Sequence, residues 1–82
     1  MSDAQFNALA EQVVAAVREF SALAKPIVEA QCERIGKTPQ TLQQGDLAAL
    51  AEVVGTAVGK FTTPGKGVLA AESVRRLRQT GA

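Results

Sequence analysis

Eighty-two residues provide for one domain and no second core, because a chain this short buries only about 60% of the surface it exposes when unfolded. Nine basic residues balance eight acidic ones, with no histidine, no tyrosine and one cysteine, Cys32, which excludes an intramolecular disulfide framework, a Cys–His nucleophile pair and imidazole acid–base chemistry. No run of about 18 apolar residues is free of charge, which excludes a membrane-spanning helix, and Asp3, Glu11 and Glu19 do not fit an export signal; a reducing compartment, the cytoplasm, is expected.

In chain order, Ser2 and Gln5 have capping-box spacing and predict a helix beginning near Asp3. Phe6, Leu9, Val13, Ala16, Phe20, Leu23, Ile27 and Ala30 then recur at steps of three and four, the period of one apolar stripe on a helix. Gln12, Arg18, Glu19, Lys25, Glu29 and Glu33 fall mostly away from it, and Gly36 suits a helix C-cap. Pro26 interrupts the pattern, since its ring clashes with the carbonyl four residues back and it lacks an amide hydrogen. Because the stripe keeps its phase across Pro26, one long helix kinked there is predicted.

Thr38 and Pro39 open a loop with room for one helical turn. Asp46 is then read as the cap of a second helix that runs to about Lys60, with Leu47, Leu50, Val54, Ala57, Val58 and Phe61 on one face. Thr62, Thr63, Pro64, Gly65, Lys66 and Gly67 are turn residues almost throughout and read as a loop. Val68, Ala71, Val74 and Leu77 mark a last helix from Val68 to about Gln79, whose arginines favour a helix C-terminus. No segment alternates as a strand. The predicted fold is all-α, one domain over residues 1–82: a small helical bundle with a long first helix followed by two shorter ones.

A straight helix from 3 to 35 would span about 50 Å, against about 30 Å for a globule of this size. Two arrangements cover its apolar seam: Pro26 folds it back on the same chain, or a second copy supplies the facing surface. The second accounts better for an unbroken seam and makes Phe6, Leu9, Val13, Phe20, Leu23 and Ile27 the candidate oligomer or partner interface. On the second helix, Ala51, Gly55 and Gly59 form a strip without side-chain bulk where another helix can approach closely; within a subunit and across a dimer are equally open.

Few constellations carry chemistry. Cys32 reads as structural rather than reactive, and Glu29 with Glu33 has no further ligand to complete a metal site. Lys66 between Gly65 and Gly67 does not make a phosphate loop, because Gly67 stands where Ser or Thr is needed and no strand precedes it. Charge is segregated: residues 1–52 hold seven acids and four bases, residues 53–82 five bases and one acid. Lys60, Lys66, Arg75, Arg76 and Arg78 are therefore the candidate anion or nucleic-acid contacts, although no interleaved aromatic or helix-turn-helix accompanies them. The sequence thus predicts a non-enzymatic interaction module without metal or cofactor, partnered by itself or another helical protein. A small nucleic-acid-binding protein is the alternative.

Overall fold

The computed structural model describes residues 6–80 of an all-helical chain. Among these residues there are four α-helices: α1 (Ala8–Arg18), α2 (Ala24–Arg34), α3 (Leu47–Phe61) and α4 (Pro64–Thr80), with a 3₁₀ turn at Gln44–Asp46 leading into α3. Helix α1 packs on α2 and α4, α2 on α3, and α3 most extensively on α4, so the helices close a ring around one core. The body measures 32 × 31 × 21 Å.

Helix α1 begins at Ala8 rather than near Asp3; the Ser2–Gln5 pair lies outside the described residues. Its N-cap is Asn7, whose side-chain oxygen accepts from the Ala10 amide at 2.8 Å. The same side chain reaches 35 residues along the chain: Asn7 Nδ2 donates to the Leu42 carbonyl at 2.9 Å, while the Asn7 backbone amide donates to the Pro39 carbonyl at 3.0 Å. One residue both starts α1 and fastens it to the loop before α3.

The predicted long helix kinked near Pro26 is replaced by two separate helices, and the break lies upstream of the proline. Helix α1 stops at Arg18, the Phe20 and Ser21 amides both turn back to the Val17 carbonyl at 2.8 and 3.0 Å, and Ser21 Oγ accepts from the Leu23 amide at 3.1 Å. Pro26 is the third residue of α2, where an amide hydrogen would have no intrahelical partner and the ring meets no preceding turn. The first bond of the new helix is Ile27 N–H to the Leu23 carbonyl, 3.0 Å. Size gives the reason for two helices, since an unbroken rod from 8 to 34 would be about 40 Å long and overrun a 32 Å body.

Helix α2 ends as the sequence predicts. Gly36 takes φ +79°, Lys37 N–H bonds to the Cys32 carbonyl at 2.9 Å and Gly36 N–H to the Glu33 carbonyl at 3.0 Å, the paired bonds of a Schellman C-cap. Asp46, read as the cap of α3, makes no such bond to that helix; its carboxylate accepts from the Gln43 amide at 3.0 Å and closes the 3₁₀ turn as a capping box.

The segment 62–67 is not a six-residue loop. Only Thr62 and Thr63 lie between α3 and α4. Thr62 Oγ1 donates to the Val58 carbonyl at 2.6 Å and closes α3. Thr63 Oγ1 accepts from the Lys66 amide at 3.2 Å in the manner of an N-cap, and Pro64 takes the first helical position, where its fixed φ is preorganised. Gly65, Lys66 and Gly67 form the first turn of α4.

The core is built from small aliphatic side chains. Leu47, Leu50, Val13, Val17, Val28, Val54, Val58, Val74 and Cys32 are its largest fully buried members, and each valine or leucine there is worth about 1.5–3 kcal/mol of burial. The inner face of α1 is Ala10, Val13, Val14 and Val17, rotated from the predicted stripe, so Phe6, Leu9 and Phe20 pack at its margin. The predicted face of α3 is buried as read, except that Phe61 is 63% exposed.

Candidate functional site

The six residues read as an interface divide in the structure. Val13 and Ile27 are buried in the chain's own core, Phe6, Leu9 and Phe20 pack against that core, and Leu23, in the turn between α1 and α2, is half exposed. Lys25 Nζ further covers the Phe6 ring, 5.1 Å from its centroid. The break before α2 lets the chain cover most of its own seam.

The unspent surface lies on α3 and α4. Their backbones touch: a Cβ added to Gly55 would meet the Gly67 carbonyl oxygen and the Ala71 Cβ, each at 2.9 Å, and one added to Gly67 would meet Gly59 N at 2.9 Å and strike the Gly55 carbonyl oxygen. Helices this close leave little side-chain bulk between them, and an open groove of about 570 Å³ runs along their outer junction. Gly55, Gly59, Gly67 and Ala71 line it together with Glu52, Thr56, Lys60, Pro64, Val68 and Arg75. Val68 is 60% exposed beside it.

Within α3, Glu52, Thr56 and Lys60 follow one another at intervals of four and are all exposed, which makes them a continuous ridge. The ridge borders the α3–α4 groove on one flank. On the other lies a smaller groove of about 200 Å³ lined by Gln31, Arg34, Val53, Ala57 and Phe61. The Thr56 hydroxyl donates to the Glu52 carbonyl at 3.1 Å; with its donor occupied by its own helix, Thr56 can enter an interface without leaving an unpaired hydrogen. Lys37 and Asp46 form an ion pair at 3.7 Å, whereas Glu52, Lys60 and Arg75 have no ion-pair partner among the described residues.

The basic candidates do not form one patch. Lys60, Lys66, Arg75 and Arg76 are exposed, but only Lys60 and Arg75 border the groove. Lys66 is nine residues from Arg75 and so about 180° around α4. The Arg78 side chain lies outside the described residues. Glu72, also exposed, stands one turn before both Arg75 and Arg76.

Cys32 is fully buried, and burial, reinforced by the carboxylates of Asp46, Glu29 and Glu33, pushes its thiol up to about 11 from an ordinary 9.0. Arg34 follows two residues later, yet the balance of the surroundings favours the neutral thiol. Among the described residues no three His, Cys, Asp or Glu side chains converge as metal ligands, no buried side-chain polar atom lacks a hydrogen-bond partner, and no helix is long and apolar enough to cross a membrane.

The small-residue strip Ala51, Gly55 and Gly59 is legible in the sequence, and its mate is α4 of the same chain. The groove itself is not legible, because half its lining comes from α4, whose first turn reads as a loop. No family model, no curated protein and no solved structure matches this chain.

Proposed function

We propose that this chain is a non-enzymatic interaction module whose docking surface is the outer face of α3 and α4. The observation that carries the reading is the groove beside the Glu52–Thr56–Lys60 ridge, floored by glycine and alanine and bordered by an exposed Val68. Its open form admits another helix, its apolar wall supplies burial, and its charged rim supplies register. The charged residues at the groove complement this reading: Glu52, Lys60 and Arg75 stand on its rim, and the one thiol is held neutral inside the core. Transfer of the docking role from the first-helix seam to α3 and α4 follows from which apolar surface the folded chain leaves open.

A photoreactive amino acid introduced at position 68 tests the reading in the cells that make the protein, with position 12, an exposed site on α1, as control. A discrete polypeptide adduct is expected at 68 and not at 12, and Thr56→Arg, which fills the groove, should abolish it. No adduct at 68, or equal adducts at both positions, would overturn the proposal.

A further inference from the structure

We infer that the partner seated on this face is a second copy of the chain, docked antiparallel through α3 about a two-fold axis passing beside Thr56. The inference rests on the proposed docking role of the α3–α4 face and names its occupant.

Charge placement identifies the occupant. Glu52 and Lys60 stand four residues before and four residues after Thr56, at the two ends of one exposed ridge, about 12 Å apart along the axis. A two-fold operation at Thr56 exchanges the ends, so Glu52 of each copy faces Lys60 of the other and two opposite-charge pairs form at once. An isologous interface requires this self-complementarity. An unrelated helix would have to supply it independently.

Shape agrees with charge. The ridge stands beside the open cleft between α3 and α4, so a two-fold operation at Thr56 sets the ridge of each copy against the cleft of the other. In the two-fold arrangement each ridge lies along the other copy's α3–α4 groove, between Thr56 and Lys60 on one side and Val68 and Arg75 on the other. Thr56 contributes its methyl group, its hydroxyl being bonded to the Glu52 carbonyl. The exposed Val68 borders the same groove and is covered by the incoming copy.

The test is a charge exchange read by sedimentation velocity over a dilution series at low salt, with circular dichroism to confirm that each variant is folded. The wild-type chain is expected to approach twice 8.5 kDa on concentration. Glu52→Lys and Lys60→Glu each replace two attractive pairs by two repulsive ones, and each should weaken dimerisation roughly tenfold or more. Mixing the two variants restores opposite charges at both positions and should restore the dimer. The double variant Glu52→Lys/Lys60→Glu should dimerise like the wild type. A wild-type monomer at all concentrations, or single variants that dimerise as well as the wild type, would overturn the inference. Adducts at position 68 formed only with another polypeptide would leave the docking role standing and remove the second copy as its occupant; no adduct at all would remove the docking role itself.

Discussion

Gly67 of α4 lies directly over Gly55 of α3, so close that a Cβ on Gly67 would collide with the Gly55 carbonyl oxygen. Alanine normally stabilises a helix relative to glycine by about 1 kcal/mol, but here the obstructing atoms are backbone and cannot swing aside. Gly67→Ala is therefore expected to destabilise the fold by about 2 kcal/mol, lowering Tm by roughly 8 °C or more for a domain of this size. Gly65, in the same turn, meets nothing within 4 Å, and Gly65→Ala should gain up to about 1 kcal/mol. Thermal unfolding of the two variants separates a packing role from simple tolerance, because equal gains at both positions would show that the helices do not touch.

The Gly55–Gly67 contact also shows where sequence reading succeeds and where it stops. Helical periodicity found the buried face of α3, since Leu47, Leu50, Val54 and Val58 are large enough to mark it. Gly36 was legible because a single residue type satisfies a left-handed C-cap. Gly65, Lys66 and Gly67 read as loop because their intrinsic preferences oppose helix, and the contact of Gly67 with α3 helps to override those preferences. The break at Glu19–Leu23 carries no strong turn signal; it is set by the need to fold α2 back onto the core. The candidate groove depends on the helical first turn of α4, which places Pro64, Gly67 and Val68 along it, so only its glycine strip is legible.

Asn7 combines a local and a distant role. Asn7→Ala removes the N-cap bond to Ala10 and the bond to the Leu42 carbonyl, with an expected loss of about 2 kcal/mol. Asn7→Asp is the sharper test: aspartate is as good an N-cap and its charge suits a helix N-terminus, yet it cannot donate and would set a carboxylate against a carbonyl oxygen. Urea unfolding at pH 7 should place the aspartate variant below the wild type, and stability equal to the wild type would show that the tie to Leu42 contributes nothing.

Cys32 gives the fold an alkaline limit. Its thiol titrates at about 11 in the folded chain, against 9.0 as the ordinary value, so between those values the folded state holds more protons than the unfolded state. Stability is then full below about pH 9 and falls as pH rises toward 11, by roughly 3 kcal/mol at most for a shift of this size. Cys32→Ala should flatten that part of the profile whatever its effect at neutral pH. An unchanged slope between pH 9 and 11 would mean that the buried thiol is not its source.

Pro26 provides the contrast between a proline that kinks a helix and one that begins it. As the third residue of α2 it withholds an amide the helix does not use, so Pro26→Ala should change stability by less than about 1 kcal/mol. Amide exchange at Glu19–Leu23 should match the wild type and the ellipticity at 222 nm should be nearly constant, because the break belongs to the packing of α2 against the core rather than to the proline. Ala30→Pro, one turn further along on the exposed side of α2, should cost about 3 kcal/mol or more. If Pro26→Ala instead protected the Glu19–Leu23 amides and raised helix content, the proline would be what holds α1 and α2 apart, and the apolar seam from Phe6 to Ile27 would regain its length as a surface for a second chain.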